Sequence, residues 1–177
     1  MSSFSARLVG AARLDARTFE EIEADPQGTR QALVAVVLSS VAAGIGTTSV
    51  VGMGPRPLVM ATIGALVGWI AWAMLTYVIG TRLLQEPQTR ADLGELLRTT
   101  GFASAPGLLR VAGVIPGLGW IVYVITSVWM LAAMVVGVRQ ALDFTTTGRA
   151  LAVCAAGWLI SLLIAVLIGS VFGPAVQ

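Results

Sequence analysis

Residues 118–138, LGWIVYVITSVWMLAAMVVGV, form an uninterrupted stretch without a charged side chain. A helix needs about 20 predominantly apolar residues to cross the hydrocarbon core of a bilayer, and this stretch meets that requirement. The whole chain has the same character. Of its 177 residues, 56% are hydrophobic and only 11% are charged, whereas a soluble domain has about 25% charged residues. The sequence therefore predicts an all-α, polytopic membrane protein.

Four more apolar stretches lie to either side of this one. We predict a bundle of five transmembrane helices at 32–51, 58–81, 96–114, 118–138 and 150–171. The stretch at 96–114 differs from the others because it contains Arg98, Arg110 and Pro106. Arginines near a helix end can extend their side chains to the headgroups, so we expect this stretch to cross as well. If it formed an interfacial hairpin instead, four crossings would leave both termini on one side.

The eleven basic residues are all arginines, and their distribution predicts the orientation of the bundle. Only Arg56 and Arg110 fall on one side, while nine arginines and all nine acidic residues fall on the other. Arginine-rich loops stay in the cytoplasm, so we expect a cytoplasmic N-terminus and an external C-terminus. The absence of lysine, with abundant alanine, glycine and valine, suggests a bacterial inner membrane. The nine arginines are Arg7, Arg13, Arg17, Arg30, Arg82, Arg90, Arg98, Arg139 and Arg149.

Two predicted spans share a spacing of tryptophan, glycine and arginine. Trp72, Gly80 and Arg82 in one span recur as Trp129, Gly137 and Arg139 in another. The recurrence indicates either an internal repeat of two helical hairpins or chance in a chain rich in small apolar residues. In a repeat, Arg82 and Arg139 would occupy equivalent places in the inner headgroup layer. We predict both as headgroup anchors, together with Arg110 on the opposite side.

Residues 1–30 are predicted to form a segment distinct from the transmembrane domain at 31–177. Thr18, followed three residues later by Glu21, is typical of a capping box that opens a short helix. An amphipathic helix of this kind can lie along the inner leaflet, or it can pack on the protein's own loops. Upstream, four apolar side chains share one helical face, which Arg7 and Arg13 flank: Phe4, Leu8, Val9 and Ala12.

Small residues and one proline are the candidate packing positions. Gly64 and Gly68 are four residues apart, a spacing that lets two helix backbones approach closely, so this face could pack within the bundle or form a dimer. Gly101 and Pro106 lie in the third span, where the proline cannot donate a backbone hydrogen bond and should kink the helix. Such a kink is either a tolerated irregularity of the bundle or part of a transport path.

The composition argues against catalysis and against bound cofactors. Histidine and lysine are absent, and Cys154 is the single cysteine. Nucleophile–base pairs, zinc sites and haem sites therefore lack their usual residues. The acidic side chains at Glu20, Glu21, Glu23 and Asp25 resemble a solvated helix start. We predict no enzyme activity, no catalytic, cofactor-binding or metal site, and no binding of nucleic acid, because the net charge is only +2 and the arginines are scattered.

Several stretches, taken in order, resemble the Yip (Ypt-interacting protein, Yip-one domain) family and its bacterial branch. The resemblance implies a five-span bundle with a cytoplasmic N-terminus. Eukaryotic members act in membrane trafficking and bind small GTPases, but this chain lacks their long N-terminal region and its Asp-Leu-Tyr-Gly motif, so GTPase binding is not expected. The matching stretches are DARTFEEI at 15–22, GFASAP at 101–106, IPGLGW at 115–120, VVGVRQAL at 135–142 and TGRA at 147–150.

These observations predict a non-enzymatic membrane protein that associates with lipids, with other membrane proteins or with itself. The alternative is a small transporter or channel built around the kinked third span. The depth of Arg110 distinguishes the two hypotheses, since a side chain that reaches the headgroups favours the first and a side chain buried at the midplane favours the second.

Overall fold

The computed structural model describes the backbone of residues 2–51 and 55–172, and the side chains of these residues except at 48–51, 165 and 167–172. All secondary structure in these ranges is helical, which confirms the all-α prediction. The predicted external C-terminal tail lies outside the described residues. The helices are α1 (Phe4–Ala12), α2 (Ala16–Ala24), α3 (Gly28–Val51), α4 (Pro55–Val78), α5 (Leu93–Phe102), α6 (Gly119–Ala141) and α7 (Thr147–Phe172).

Two irregular helices complete the fold. A π-helical turn, Ile79–Leu83, extends α4, and a 3₁₀ helix, Ala105–Val114, follows α5. We call the latter the 3₁₀ segment. The loops 84–92 and 142–146 lie together with α1 and α2 at one end of the bundle, which we call the basic end. The turn at 115–118, where Gly117 adopts a φ of +84°, lies at the other end, the turn end.

Four helices are long and apolar enough to cross a membrane. They correspond to the first, second, fourth and fifth predicted spans, with ends that differ from the predicted ones by a few residues. Helix α4 is the most peripheral of the four, since only 6% of its apolar window is buried inside the protein. The four stretches are Gly28–Thr47, Pro55–Leu83, Gly119–Ala141 and Thr147–Ile164.

The third predicted span, 96–114, is not one continuous helix, and its break lies beside Pro106, where the kink was predicted. Helix α5 begins earlier, at Leu93, because Asp92 and Glu95 form a reciprocal capping box. It ends at Phe102, and the hydroxyl of Ser104 donates to the Gly101 carbonyl at 2.7 Å. Pro106 then starts the 3₁₀ segment, where its missing N–H is not needed. The five-crossing count therefore stays a prediction.

The broken helix forms the centre of the bundle rather than its edge. All residues from 99 to 107 are buried. A Cβ at Gly101 would lie 2.7 Å from the Ala32 side chain of α3, so this glycine permits close contact between the two helices. Gly107 is similarly close to Ser39. Helices α3, α4 and α6 pack around α5 and the 3₁₀ segment, which places the least regular part of the chain at the core.

The N-terminal helices pack on the bundle. Helix α2 is capped by Asp15, whose carboxylate accepts from the Arg17 N–H at 3.2 Å, so the predicted capping box opened by Thr18 is wrong. Thr18 lies inside the helix and donates its own hydroxyl to Asp15. Phe19 is fully buried against Gly137 of α6. This packing matches the alternative in which the segment contacts the protein itself.

Arg7 fixes the N-terminal helices to the start of α3. Its side chain is only 1% exposed and lies 2.7 Å from Asp25 and 3.1 Å from Glu21. It also donates to Gln31 of α3 at 3.1 Å. A charge can be buried at tolerable cost when it is paired and hydrogen-bonded. Arg7 therefore forms the polar centre of this packing, whereas the sequence suggested that it flanks an apolar face.

Candidate functional site

Arg110 is the least expected charge in the bundle. It lies in the 3₁₀ segment, and its guanidinium turns toward α6, where Nε donates to Thr126 at 3.1 Å and Nη2 donates to Ser127 at 2.8 Å. The guanidinium carbon also lies 4.7 Å from the centre of the Tyr123 ring, a cation–π contact. Three neighbouring α6 residues thus hold one cation.

No side-chain carboxylate pairs with this cation. All nine carboxylate side chains lie within the described residues, and Arg110 forms an ion pair with none of them. The hydroxyl of Thr126 donates to the Val122 carbonyl at 2.7 Å, so it supplies a lone pair to Arg110 but no negative charge. Arginine in a membrane interior is costly and marks a functional site by default. The uncompensated charge of Arg110 therefore needs an explanation.

The depth of Arg110 follows from its partners. Thr126 and Ser127 lie seven and eight residues past the first residue of α6, which is about 11 and 12 Å along the helix axis. A guanidinium at this depth lies below the headgroups of the nearer leaflet when α6 crosses the bilayer. It therefore lies deeper than the headgroup layer, which would favour lipid association, and shallower than the bilayer midplane, which would favour transport.

Backbone contacts between α3 and the 3₁₀ segment fix where Arg110 begins. Gly46 of α3 lies so close that a Cβ there would overlap the carbonyl oxygen of Arg110. A Cβ at Gly113 would lie 3.0 Å from the Gly46 carbonyl oxygen. Because Gly46 and Gly113 have no side chains, the backbone of the 3₁₀ segment lies directly on the backbone of α3 at this point.

Arg110 lines two spaces. The first, which we call the outer pocket, has a volume of about 320 Å³ and lies at the turn end between α3, the 3₁₀ segment and α6. Trp120 and Tyr123 line it, and the remaining walls are mostly small apolar residues. Trp120 is 71% exposed, so an aromatic ring stands at the edge of an apolar groove beside a cation.

The second space, which we call the inner cavity, has a volume of about 290 Å³ and lies between α3, α4, the broken helix and α6. Polar groups from three of these elements line it, including Ser39, Trp72 and Ser104. The indole Nε1 of Trp72 is buried and has no acceptor. No described residue forms a hydrogen bond with the Ser39 hydroxyl, although Ser39 is only 5% exposed. Buried polar groups normally have partners, so the Trp72 N–H needs an explanation as well.

The predicted packing positions occupy contrasting environments. A Cβ at Gly64 or at Gly68 would meet nothing within 4 Å, so this face of α4 is not used to pack other described helices. Gly68 nevertheless lines the inner cavity. Gly101 and Pro106 are buried at the break between α5 and the 3₁₀ segment. Gly68 and Arg110 therefore line the same cavity, and Gly101 and Pro106 flank Ser104, which lines it too.

The other two predicted anchors lie at the basic end, but they are not equivalent. Arg82 is exposed in the π-helical turn, and none of the described residues forms a hydrogen bond with its side chain. Arg139 donates to the carbonyls of Phe144 and Thr145 at 3.3 and 3.2 Å, which closes the loop between α6 and α7. Within the described residues, the matched spacing therefore does not give matched surroundings.

The acidic residues of α2 serve the packing of the N-terminal helices. The hydrogen bond from Arg7 lowers the pKa of Asp25 below its ordinary value. Burial, with repulsion from the carboxylates of Asp143, Glu95 and Glu20, raises the pKa of Glu23 to about 7, and Arg98 opposes this shift. In the part of the chain that is described, no group of three or more His, Cys, Asp or Glu side chains could hold a metal ion.

Sequence reasoning missed several residues that now matter. Tyr123, Thr126 and Ser127 are the only hydroxylic side chains in the apolar stretch 118–138, and that isolation was a usable signal. Their place opposite Arg110 depends on how the helices pack. Nothing in the sequence marked Trp72 as a donor without an acceptor, because tryptophan in an apolar span usually packs as a large hydrophobic residue.

The comparisons with known proteins agree with the sequence resemblance. A family model described as the Yip1 domain matches residues 14–168, a range that includes Arg110 and all residues that line the inner cavity. No curated protein and no solved structure matches the chain. The match confirms the resemblance to the Yip family, while the bacterial branch stays a prediction. Because the matched range covers most of its length, this membrane protein belongs to the Yip1 domain family.

Proposed function

We propose that this protein acts without catalysis, by associating with anionic lipids of the membrane in which it lies, and that Arg110 binds the negatively charged group. One observation supports this proposal above all. The guanidinium of Arg110 lies among apolar helices with two neutral hydroxyl partners and one aromatic ring, and with no carboxylate. A ligand that brings a negative charge to this place would supply the missing counter-ion.

The shape of the outer pocket favours a lipid over a small soluble anion. The pocket is almost entirely apolar apart from Arg110, and Trp120 and Tyr123 border it. A phospholipid combines a phosphate with acyl chains, so its phosphate could approach the cation through the pocket while its chains continue along the apolar helices beyond it. Tryptophan and tyrosine are enriched where chains and headgroups meet. A small hydrophilic anion would gain nothing from these walls.

The proposal includes the orientation predicted from the arginines. The basic end faces the cytoplasm, and Arg110 approaches the lipids of the outer leaflet of the inner membrane. Association with other membrane proteins, or with a second copy of the chain, would use the open face of α4 around Gly64, where a Cβ meets no described atom.

The test compares lipid binding by full-length protein purified in detergent, measured by native mass spectrometry. We expect phosphatidylglycerol to bind more tightly than phosphatidylcholine with the same acyl chains. Arg110→Gln should abolish that preference. Arg56→Gln is the matched control, because Arg56 is an exposed arginine in the first turn of α4, and it should retain the preference. An unchanged preference in Arg110→Gln would overturn the proposal.

A second candidate function, passage of a solute along the broken helix, is favoured by the inner cavity beside Ser104. Its test uses Ser104→Cys in a Cys154→Ala background, treated in intact membranes with a hydrophilic thiol reagent. Labelling at Ser104 together with protection of Leu109→Cys, which lies on the exposed apolar surface, would support a water-filled path. If Ser104→Cys stays unlabelled, the path loses its main support.

A further inference from the structure

The turn between α1 and α2 reaches the middle of the bundle. The indole Nε1 of Trp129 donates at 2.6 Å to the carbonyl of Ala12, the last residue of α1. Trp129 lies ten residues past the start of α6, which is about 15 Å along a helix of about 33 Å. Long side chains on a helix lean toward its N-terminus, which for α6 is the turn end. The contact therefore places Ala12 near the midpoint of α6.

Other contacts of the two short helices give the same placement. We call residues 4–24 the N-terminal hairpin. Its first helix also contacts the 3₁₀ segment at the centre of the bundle. Its second helix returns toward the basic end, where Phe19 packs on Gly137, eight residues or about 12 Å nearer that end than Trp129. The turn at 13–15 is therefore the deepest part of the hairpin.

This turn carries charged side chains that face outward. Arg13, Asp15 and Arg17 are all exposed. The Asp15 carboxylate accepts from the Arg17 N–H and the Thr18 hydroxyl, but no described carboxylate forms an ion pair with Arg13 or Arg17. An arginine at the centre of a bilayer is costly unless water and headgroups reach it through local thinning. The depth of the hairpin and its exposed charges are therefore incompatible with an undisturbed bilayer beside α6.

A groove connects the turn with the basic end. It lies between α1 and α2, has a volume of about 480 Å³, and runs from Ser5 in the first turn of α1 to Arg13, about 12 Å along the helix. Arginine is well suited to bind phosphate. Beside the groove, Val9 and Leu14 expose apolar side chains that can contact acyl chains. The polar lining consists of Ser5, Arg13, Asp15 and Thr18.

We propose that phosphate headgroups of the leaflet at the basic end descend along this groove to Arg13 and Arg17, and that the bilayer beside the N-terminal hairpin is thinned. The headgroups would reach the midpoint of α6, so the hydrocarbon core of about 30 Å would fall to roughly half. This inference goes beyond the proposed function, because it concerns the opposite leaflet and does not involve Arg110. Since every phospholipid carries the phosphate, the hairpin should not distinguish phosphatidylglycerol from phosphatidylcholine.

The first experiment measures whether water reaches the turn. Full-length protein with Cys154→Ala is placed in nanodiscs of phosphatidylcholine and phosphatidylglycerol and treated with a hydrophilic thiol reagent. Leu14→Cys lies in the turn, and Val128→Cys lies at the same depth on α6, where the native side chain is 62% exposed. Because polar molecules enter hydrocarbon poorly, Leu14→Cys should be labelled at least about 30 times faster. Equal protection, or equally fast labelling, would refute the proposal.

The second experiment separates headgroups from water alone. Nitroxide labels are attached at Leu14→Cys and Val128→Cys, and the nanodiscs contain phospholipids with a Ni²⁺ chelate on the headgroup. The label at Leu14→Cys should relax faster than the label at Val128→Cys, because the paramagnetic headgroups come close to it. Equal relaxation of the two labels would overturn the assignment to lipid headgroups, even if the thiol reagent reaches the turn.

The third experiment tests the arginines. Arg13→Leu together with Arg17→Leu makes the turn apolar apart from Asp15, and labelling of Leu14→Cys should slow at least about tenfold. Arg30→Leu together with Arg90→Leu removes two other exposed arginines and should leave the rate unchanged. Equal rates in the two double variants would refute the role of Arg13 and Arg17.

A final variant distinguishes a thinned bilayer from a detached hairpin. Arg7→Met removes the buried ion pair with Asp25 and should increase the detached population, which trypsin cleavage after Arg17 measures. Labelling of Leu14→Cys should not change, because the turn already meets headgroups while the hairpin is packed. A labelling rate that rises in proportion to trypsin cleavage would show that only the detached hairpin is labelled, and it would overturn the proposal.

Discussion

Replacing Arg7 by methionine should release the N-terminal helices from the bundle. Arg7 is 1% exposed, and it donates to Asp25 at 2.7 Å, to Glu21 at 3.1 Å and to Gln31 at 3.1 Å. Methionine preserves much of the side-chain volume and removes the charge. The carboxylate of Asp25, which is 8% exposed, then loses its cation and keeps the backbone N–H of Gln27 at 3.0 Å.

The size of the effect depends chiefly on Asp25. Breaking a buried ion pair by removing one partner costs about 3–5 kcal/mol. The Glu21 contact adds little, because Glu21 is 38% exposed and pairs at the surface contribute about 0–1 kcal/mol. Asp25 keeps one hydrogen bond and the attraction of Arg98, so we expect about 2 kcal/mol. That corresponds to a roughly 30-fold increase in the population with α1 and α2 detached.

Trypsin cleavage after Arg13 and Arg17 measures this population, since both sites lie in or beside helices that must open before cleavage. The full-length Arg7→Met protein in detergent should be cut there about 30 times faster than the wild type. Adding Asp25→Asn should recover part of the protection, because no unpaired carboxylate remains. Arg30→Met, which removes an exposed arginine, is the control. A rate within about twofold of the wild type for Arg7→Met would refute the reasoning.

Two more substitutions test the packing and the titration of the bundle. Gly46→Ala places a methyl group on the carbonyl of Arg110 and should cost about 1–3 kcal/mol, which lowers the melting temperature in detergent by roughly 2–10 °C. The control is Gly64→Ala, whose added methyl group meets no atom within 4 Å, so it should not lower the melting temperature. Equal losses in the two variants would contradict the contact. Because the pKa of Glu23 is raised to about 7, its carboxyl stabilises the fold when protonated, and this contribution is lost as pH rises from about 5 through 7. Glu23→Gln should therefore raise the melting temperature at pH 8 relative to the wild type and leave it nearly unchanged at pH 5. If the variant differs from the wild type by the same amount at both pH values, the titration of Glu23 is contradicted.

The sequence was sufficient for the long helices and insufficient for the short ones. Apolar stretches such as 118–138 predict a spanning helix because the bilayer itself requires that length. The break between α5 and the 3₁₀ segment depends instead on contacts of Gly101 and Gly107 with α3. Those contacts join residues far apart in the chain, so the sequence predicted a kink at Pro106 but not the change to a 3₁₀ helix.

The candidate site was predicted in part. Arg110 and Pro106 stood out because charge and proline are unusual in an apolar stretch. The partners of Arg110 could not be assigned, since any of several spans could have faced it. Arg7 was misjudged for a related reason. Its partners Asp25 and Glu21 lie in the next helix, and only the turn between α1 and α2 brings these carboxylates to it.

The contact of Gly46 with the 3₁₀ segment has a consequence for how this protein can vary. Lipid-facing positions of α4 and α7 tolerate exchange among apolar residues, because fluid chains accommodate any shape. Position 46 does not tolerate a larger residue. Any added carbon there would push the 3₁₀ segment away from α3 and move the guanidinium of Arg110 away from Thr126 and Ser127. Gly46 thus governs the placement of Arg110, and a chain that replaces this glycine must relocate the cation too.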